Sequence, residues 1–158
     1  MNIRKATAAD IDLITELRLE FLRERSPDLD QAAIKALAGR SRDFFVRRLP
    51  IGDMVAMIGD VDGEAVSTAF MVVSEKPANP DFPDGRGGAI INVYTRPAHR
   101  RRGHSTAVVS ALVEEARRLR IASLDLLASG EAASLYERIG FSPSGYSAMR
   151  LSLSGSEA

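Results

Sequence analysis

The sequence predicts a mixed α/β domain, a central sheet flanked by helices. Three observations carry this. Apolar residues recur at helical spacing in three separate stretches. Short apolar or alternating runs lie between them and read as strands. Asp62-Gly63 joins two of these runs, and both positions of such a turn favour positive φ, so the pair marks a hairpin. With 158 residues, 45% of them apolar, the chain can build one hydrophobic core. The expected organisation is one domain over 1–153 and a small polar tail over 154–158.

The elements follow in order. Ile3 to Ala6 reads as a short strand. Thr7 and Asp10 form an acidic variant of the capping box. Ile11, Ile14, Leu17 and Phe21 then mark the buried stripe of a first helix, with Arg18 and Glu20 on other faces, ending at Ser26-Pro27-Asp28. A second helical stretch starts near Gln31, is interrupted near Gly39, resumes through Asp43-Phe44-Phe45-Val46 and stops at Leu49-Pro50. Met54 to Val61 and Ala65 to Val73 are the hairpin strands. A long loop, Ser74 to Gly88, carries Pro77, Pro80, Pro83, Gly85, Gly87 and Gly88, and a loop of this length in a compact domain is often a lid or binding loop and otherwise mobile.

 Ala89 to Thr95 is the next strand, and a long helix runs from about His104 to Arg120. Ser123 to Leu127 is another strand. Ala132, Leu135, Tyr136 and Ile139 share one face of a short helix, which Gly140 ends as a left-handed cap. Tyr146 to Leu153 reads as a last strand, with Met149, Leu151 and Leu153 alternating.

Composition excludes several chemistries. There is no cysteine, so disulfides, thiolate metal sites and cysteine nucleophiles are ruled out. The two histidines, His99 and His104, do not make a metal site, and no metal is expected. Basic and acidic residues balance at 21 each, so any anion site must be local. No signal peptide or membrane-length apolar run is read, and a cytoplasmic location is expected.

The informative segment is Val93-Tyr94-Thr95-Arg96-Pro97-Ala98-His99-Arg100-Arg101-Arg102-Gly103-His104-Ser105. A strand ends, Pro97 stiffens its exit, and a basic turn with one glycine opens a helix. Helix starts carry unpaired N–H groups and the positive end of the macrodipole. Gly103 lets backbone approach a ligand closely. The arrangement suits a phosphate or diphosphate, without naming which anion. Neither a P-loop nor a dinucleotide fingerprint is present.

Arg100-x-x-Gly103-x-Ser105 resembles the Arg/Gln-x-x-Gly-x-Gly/Ala signature of the GNAT superfamily of acyl-CoA-dependent N-acetyltransferases. Asn92-Val93-Tyr94-Thr95-x-Pro97 resembles the strand before that turn. Leu135-Tyr136-Glu137-Arg138-Ile139-Gly140-Phe141 resembles the family's Leu-Tyr-Glu-Lys-x-Gly-Phe block. Ser105 stands where a second Gly or Ala is usual, and His104 where an aliphatic residue is common. The resemblance implies a mostly antiparallel sheet of about six to seven strands in the order β-α-α-β-β-β-α-β-α-β. It implies acetyl-CoA as cosubstrate. The backbone of Val93, Tyr94 and Thr95 would face the pantetheine arm, and the amides from Arg101 through Arg102, Gly103, His104 and Ser105 to Thr106 would hold the diphosphate. Arg100 would add charge, Ser129 would contact the cofactor, and Tyr136 would lie near the thioester sulfur.

The implied reaction is direct attack of an amine, from a small molecule or a protein, on the acetyl thioester. Tyr136 is the expected proton donor to the leaving thiolate, and a backbone N–H around Tyr94 is a candidate oxyanion donor. Tyr94's own side chain is read as core-facing. No general base is assigned: Gly87 to Ile91 carries no carboxylate, Asn92 cannot act as a base, and Glu75, Asp81 and Asp84 read as solvated loop charges. Arg18, Glu20 and Glu24 read as a solvated helix face. The alternative is a catalytically silent acyl-CoA-binding module. A nucleic-acid binder is disfavoured by balanced charge and the lack of interleaved aromatics. No membrane partner is expected, and a homodimer is compatible with the family.

Overall fold

The computed structural model describes residues 1–80, 82–145 and 148–153. The chain divides into two compact units, Met1–Leu127 and Ala128–Ala158. The first holds strands β1 (Asn2–Lys5), β2 (Met54–Val61), β3 (Glu64–Glu75), β4 (Arg86–Thr95) and β5 (Leu124–Leu126), with helices α1 (Ile11–Arg25), α2 (Gln31–Arg48) and α3 (His104–Arg118). The second holds helix α4 (Ala133–Ile139). The strands form one sheet in chain order. β1 to β4 pair antiparallel and β5 joins β4 in parallel. No described helix is long and apolar enough to cross a membrane.

Helices cover both faces of the sheet. Ile14 and Leu17 of α1 and Phe45 of α2 cluster with Ala56, Ile58, Phe70 and Tyr94. On the other face α3 lies close to β2, where a Cβ on Gly59 would stand 3.1 Å from Val108. Alternation along β2 puts Ile58 and Gly59 on opposite faces, so α1 and α3 lie on opposite sides. This explains why β2 reads as an unbroken apolar run.

The local signals behave as expected. Thr7 N–H donates to Asp10 Oδ2 at 2.8 Å, closing the acidic cap. Asp62 and Gly63 take φ of 52° and 85° in the hairpin turn. Helix α2, however, runs unbroken through Gly39. A glycine costs a helix only about 1 kcal/mol and does not clash as proline does. Asp30 caps this helix, its Oδ1 accepting from Ala33 N–H at 2.7 Å. Nothing lies within 4 Å of a Cβ placed on Gly39. Gly39→Ala is therefore expected to raise unfolding free energy by about 0.5–1 kcal/mol, read by urea denaturation.

The loop after β3 is shorter than expected. Residues 86–88 belong to β4, leaving 76–85 as the connection. Gly88 suits a strand here because a Cβ would meet Leu124 at 2.6 Å and Met71 at 2.9 Å. The expected last strand is not formed among its described residues: 148–153 lie outside any strand, and Met149, Leu151 and Leu153 are exposed. Tyr146 lies outside the described residues, as do Asp81 and the tail 154–158. The described sheet thus has five strands, fewer than expected. Alternation gives a segment one apolar face but supplies no hydrogen-bonding neighbour.

An ion-pair cluster ties α3 to β1. Glu115 accepts from Lys5 Nζ at 2.6 Å and from Arg118 at 2.7 Å. The Arg118 hydrogen bond, with Lys5 assisting against partial burial, lowers the Glu115 carboxyl from 4.5 to about 2. A carboxyl lowered on folding stabilises the fold above its unfolded value, and that contribution is lost as pH falls through the folded value. Acid titration of stability should show a loss between pH 4.5 and about 2 that Glu115→Gln reduces.

Candidate functional site

The site is built at the end of β4. Phe70 of β3 lies opposite Asn92 and Met71 opposite Ile90, so Ile91 is an extra residue in a bulge. β5 pairs with β4 only from Gly88 to Ile90. Beyond the bulge, among the described residues, Val93, Tyr94 and Thr95 have β3 on one side and no strand on the other. That edge offers backbone polar groups to a ligand.

The chain then passes through a short helical turn, Pro97–His99, into the basic turn. Arg101 and Gly103 take left-handed φ of 60° and 80°. Gly103 caps α3, and the first helical bond runs from Ala107 N–H to Gly103 C=O at 3.0 Å. The N–H groups of His104, Ser105 and Thr106 therefore remain outside the helical ladder. A Cβ on Gly103 would meet nothing within 4 Å, so the mouth of the turn is open. Open space, donors and helix dipole together fit a diphosphate.

Ser105 has a structural reason to be there. Its hydroxyl is 2.8 Å from Thr95 Oγ1, which is 2.8 Å from Ser67 Oγ, which donates to Tyr94 C=O at 3.0 Å. This chain of hydroxyls pins the first turn of α3 to β3 and β4. Burial and nearby His99 lower the His104 imidazole, which favours its neutral form near pH 7. Arg101 and Arg102 are exposed at the turn.

Arg100 turns the other way. Its Nε donates to Thr95 C=O at 2.9 Å, its guanidinium pairs with Glu24 of α1, and it lies 5.8 Å from the Tyr94 ring centre. The Tyr94 ring is buried edge-on to Phe21, and burial with Glu20 nearby pushes its phenol up. The charged face of α1 is not simply solvated. Glu16 and Glu20 pair with Arg96 at 2.7 and 2.8 Å, and Arg18 donates to Asn92 Oδ1 at 2.8 Å. Sequence spacing missed this because the partners are 74 to 80 residues apart. Asn92 is buried, and its Nδ2 has no partner among the described residues.

In the second unit, Ser129 is exposed and its carbonyl accepts from Ala132 and Ala133 at the start of α4. Tyr136 stands edge-on to Phe141 with ring centres 5.9 Å apart, and burial pushes its phenol up. Gly140 ends the helix with φ 111°, as its spacing predicts. Glu75 and Asp84 are exposed. Among the described residues no cluster of acidic or histidine side chains could hold a metal.

A strand that parts from its neighbour and ends on a helix start with unpaired N–H groups defines an α/β domain with an anion site at the end of its central sheet. The chain matches the Acetyltransferase (GNAT) family over residues 11–141, and it belongs to that family. A predicted acetyltransferase from Clostridium acetobutylicum, solved with acetyl-CoA, is similar at 27% identity and a TM-score of 0.83, covering 96% of each chain. A GCN5-related N-acetyltransferase from Ralstonia eutropha JMP134 is similar at 26% identity and a TM-score of 0.79, covering 95% of this chain and 97% of that one. Comparison with curated proteins finds no match.

Proposed function

We propose that the protein transfers an acetyl group from acetyl-CoA to a primary amine of a small molecule or protein by direct attack. The observation that carries this is the open turn at Gly103, with unused N–H donors heading α3 beside the unpaired edge of β4. The similar Clostridium acetobutylicum structure holding acetyl-CoA supports the choice of cosubstrate. The thioester supplies the electrophile. The amides from Arg101 to Thr106 hold the diphosphate, and the edge of Val93 to Thr95 pairs with the pantetheine amides. Tyr136 delivers a proton to the departing sulfur, and Ser129 contacts the cofactor. Arg101 and Arg102 supply the free positive charge, since Arg100 is already paired with Glu24. In this reading the protein works in the cytoplasm without nucleic acid, membrane or metal.

The test is thermal unfolding with and without acetyl-CoA, followed by thiol release across a pool of amines. Stabilisation with release supports transfer. Stabilisation without release from any amine supports a silent acyl-CoA-binding module, and no stabilisation overturns the cofactor assignment.

A further inference from the structure

A cavity of about 490 Å³ lies between the C-terminal half of α1 and the bulged part of β4 with β5. Arg18, Phe21 and Arg25 line one wall, and Ile90, Ile91 and Asp125 line the other. It is on the α1 side of the sheet, opposite α3, and it reaches the bulge where β4 leaves β5.

Among the described residues, its two arginines lack the carboxylate partners that several other arginines have. Arg4, Arg96, Arg100 and Arg118 each pair with a carboxylate. Among the described residues neither Arg18 nor Arg25 does, and half-buried Arg18 bonds only the neutral Asn92 amide. Both guanidiniums approach the same Phe21 ring, at 5.5 and 5.9 Å from its centre. Burial and the Arg25 charge lower the Arg18 guanidinium, the direction expected of a cation without a counter-ion. A larger cavity of about 690 Å³ beside the β2–β3 turn lacks this feature, because its Arg4 and Arg96 are paired with Asp60, Glu16 and Glu64. A partly buried, unpaired cation is costly, and an anionic ligand offsets that cost.

We propose that the amine acceptor also carries an anionic group, a carboxylate or a phosphate, which Arg18 and Arg25 bind in this cavity. This rests on the acetyl-transfer reading above. Asp125 provides the opposite charge for the amine end, and Phe21 with Ile90 and Ile91 provides apolar walls. Asn92 is a positioning residue that holds the Arg18 guanidinium. In the transfer, the amine nitrogen forms a bond to the acetyl carbon as the carbon–sulfur bond breaks. The nitrogen loses a proton to solvent, and the CoA sulfur leaves with the electron pair.

The test compares L-phenylalanine with L-phenylalaninamide, and 2-aminoethyl phosphate with ethanolamine, by rate of thiol release. The two pairs separate a carboxylate source from a phosphate source. Since amidation also changes amine basicity, preference is read as the wild-type to variant ratio for each acceptor. Arg18→Met is expected to lower kcat/KM for the anionic member of at least one pair about 10- to 100-fold, mainly through KM, and to leave its neutral partner within roughly threefold. Arg25→Met, at an exposed position, should act in the same direction without disturbing the fold. An equal loss for charged and neutral acceptors, or no loss, overturns the proposal. If no acceptor turns over, thermal shift with L-phenylalanine and with 2-aminoethyl phosphate decides it: stabilisation lost in Arg18→Met supports the anion site, and no stabilisation of the wild type by either overturns it. Acetyl-CoA stabilisation in the same experiment tests the acetyl-transfer reading separately.

Discussion

Gly103→Asp is expected to raise the Kd for acetyl-CoA about 100-fold in calorimetry, a loss of roughly 2.7 kcal/mol. Two effects add. A side chain at φ 80° carries the left-handed penalty of about 1 kcal/mol, and the carboxylate faces the diphosphate across the mouth of the turn. A Cβ meets nothing within 4 Å, so the change introduces no clash and the apoprotein remains folded. Gly103→Ala, with the strain but not the charge, should cost about fivefold. An unchanged Kd for Gly103→Asp would show that the diphosphate is held elsewhere.

Tyr136→Phe is expected to lower kcat about 100-fold while leaving the acetyl-CoA Kd within roughly threefold. Burial holds the phenol above its ordinary value of 10, so it keeps its proton through the neutral range and can give it to a thiolate. Phenylalanine preserves the edge-on packing against Phe141 and removes only the hydroxyl. An unchanged kcat would mean that Tyr136 serves packing alone.

Much of the local backbone, including the turn that opens α3, was legible in the sequence because its signals are local. Gly103 and Gly140 mark left-handed positions, Thr7 with Asp10 marks a cap, and Asp62-Gly63 marks a turn. Each depends on a few neighbouring dihedrals. The last expected strand shows the limit of such reasoning. Met149, Leu151 and Leu153 alternate, yet no strand forms among the described residues there. Gly39 shows another limit, since capping and packing outweigh one poor helix former.

The sequence by itself determined the order of elements, the basic turn at the head of α3 and the block around Tyr136. Tertiary structure alone decided how the charges are shared. It pairs Arg100 with Glu24 and Arg96 with Glu16 and Glu20, and leaves Arg18 on a neutral amide. It also places the bulge at Ile91, because a bulge exists only relative to the register of the neighbouring strand. The physical reason is the same in each case. Dihedral preferences and periodicity are properties of adjacent residues, whereas ion pairing and register depend on which distant segments the folded core brings together.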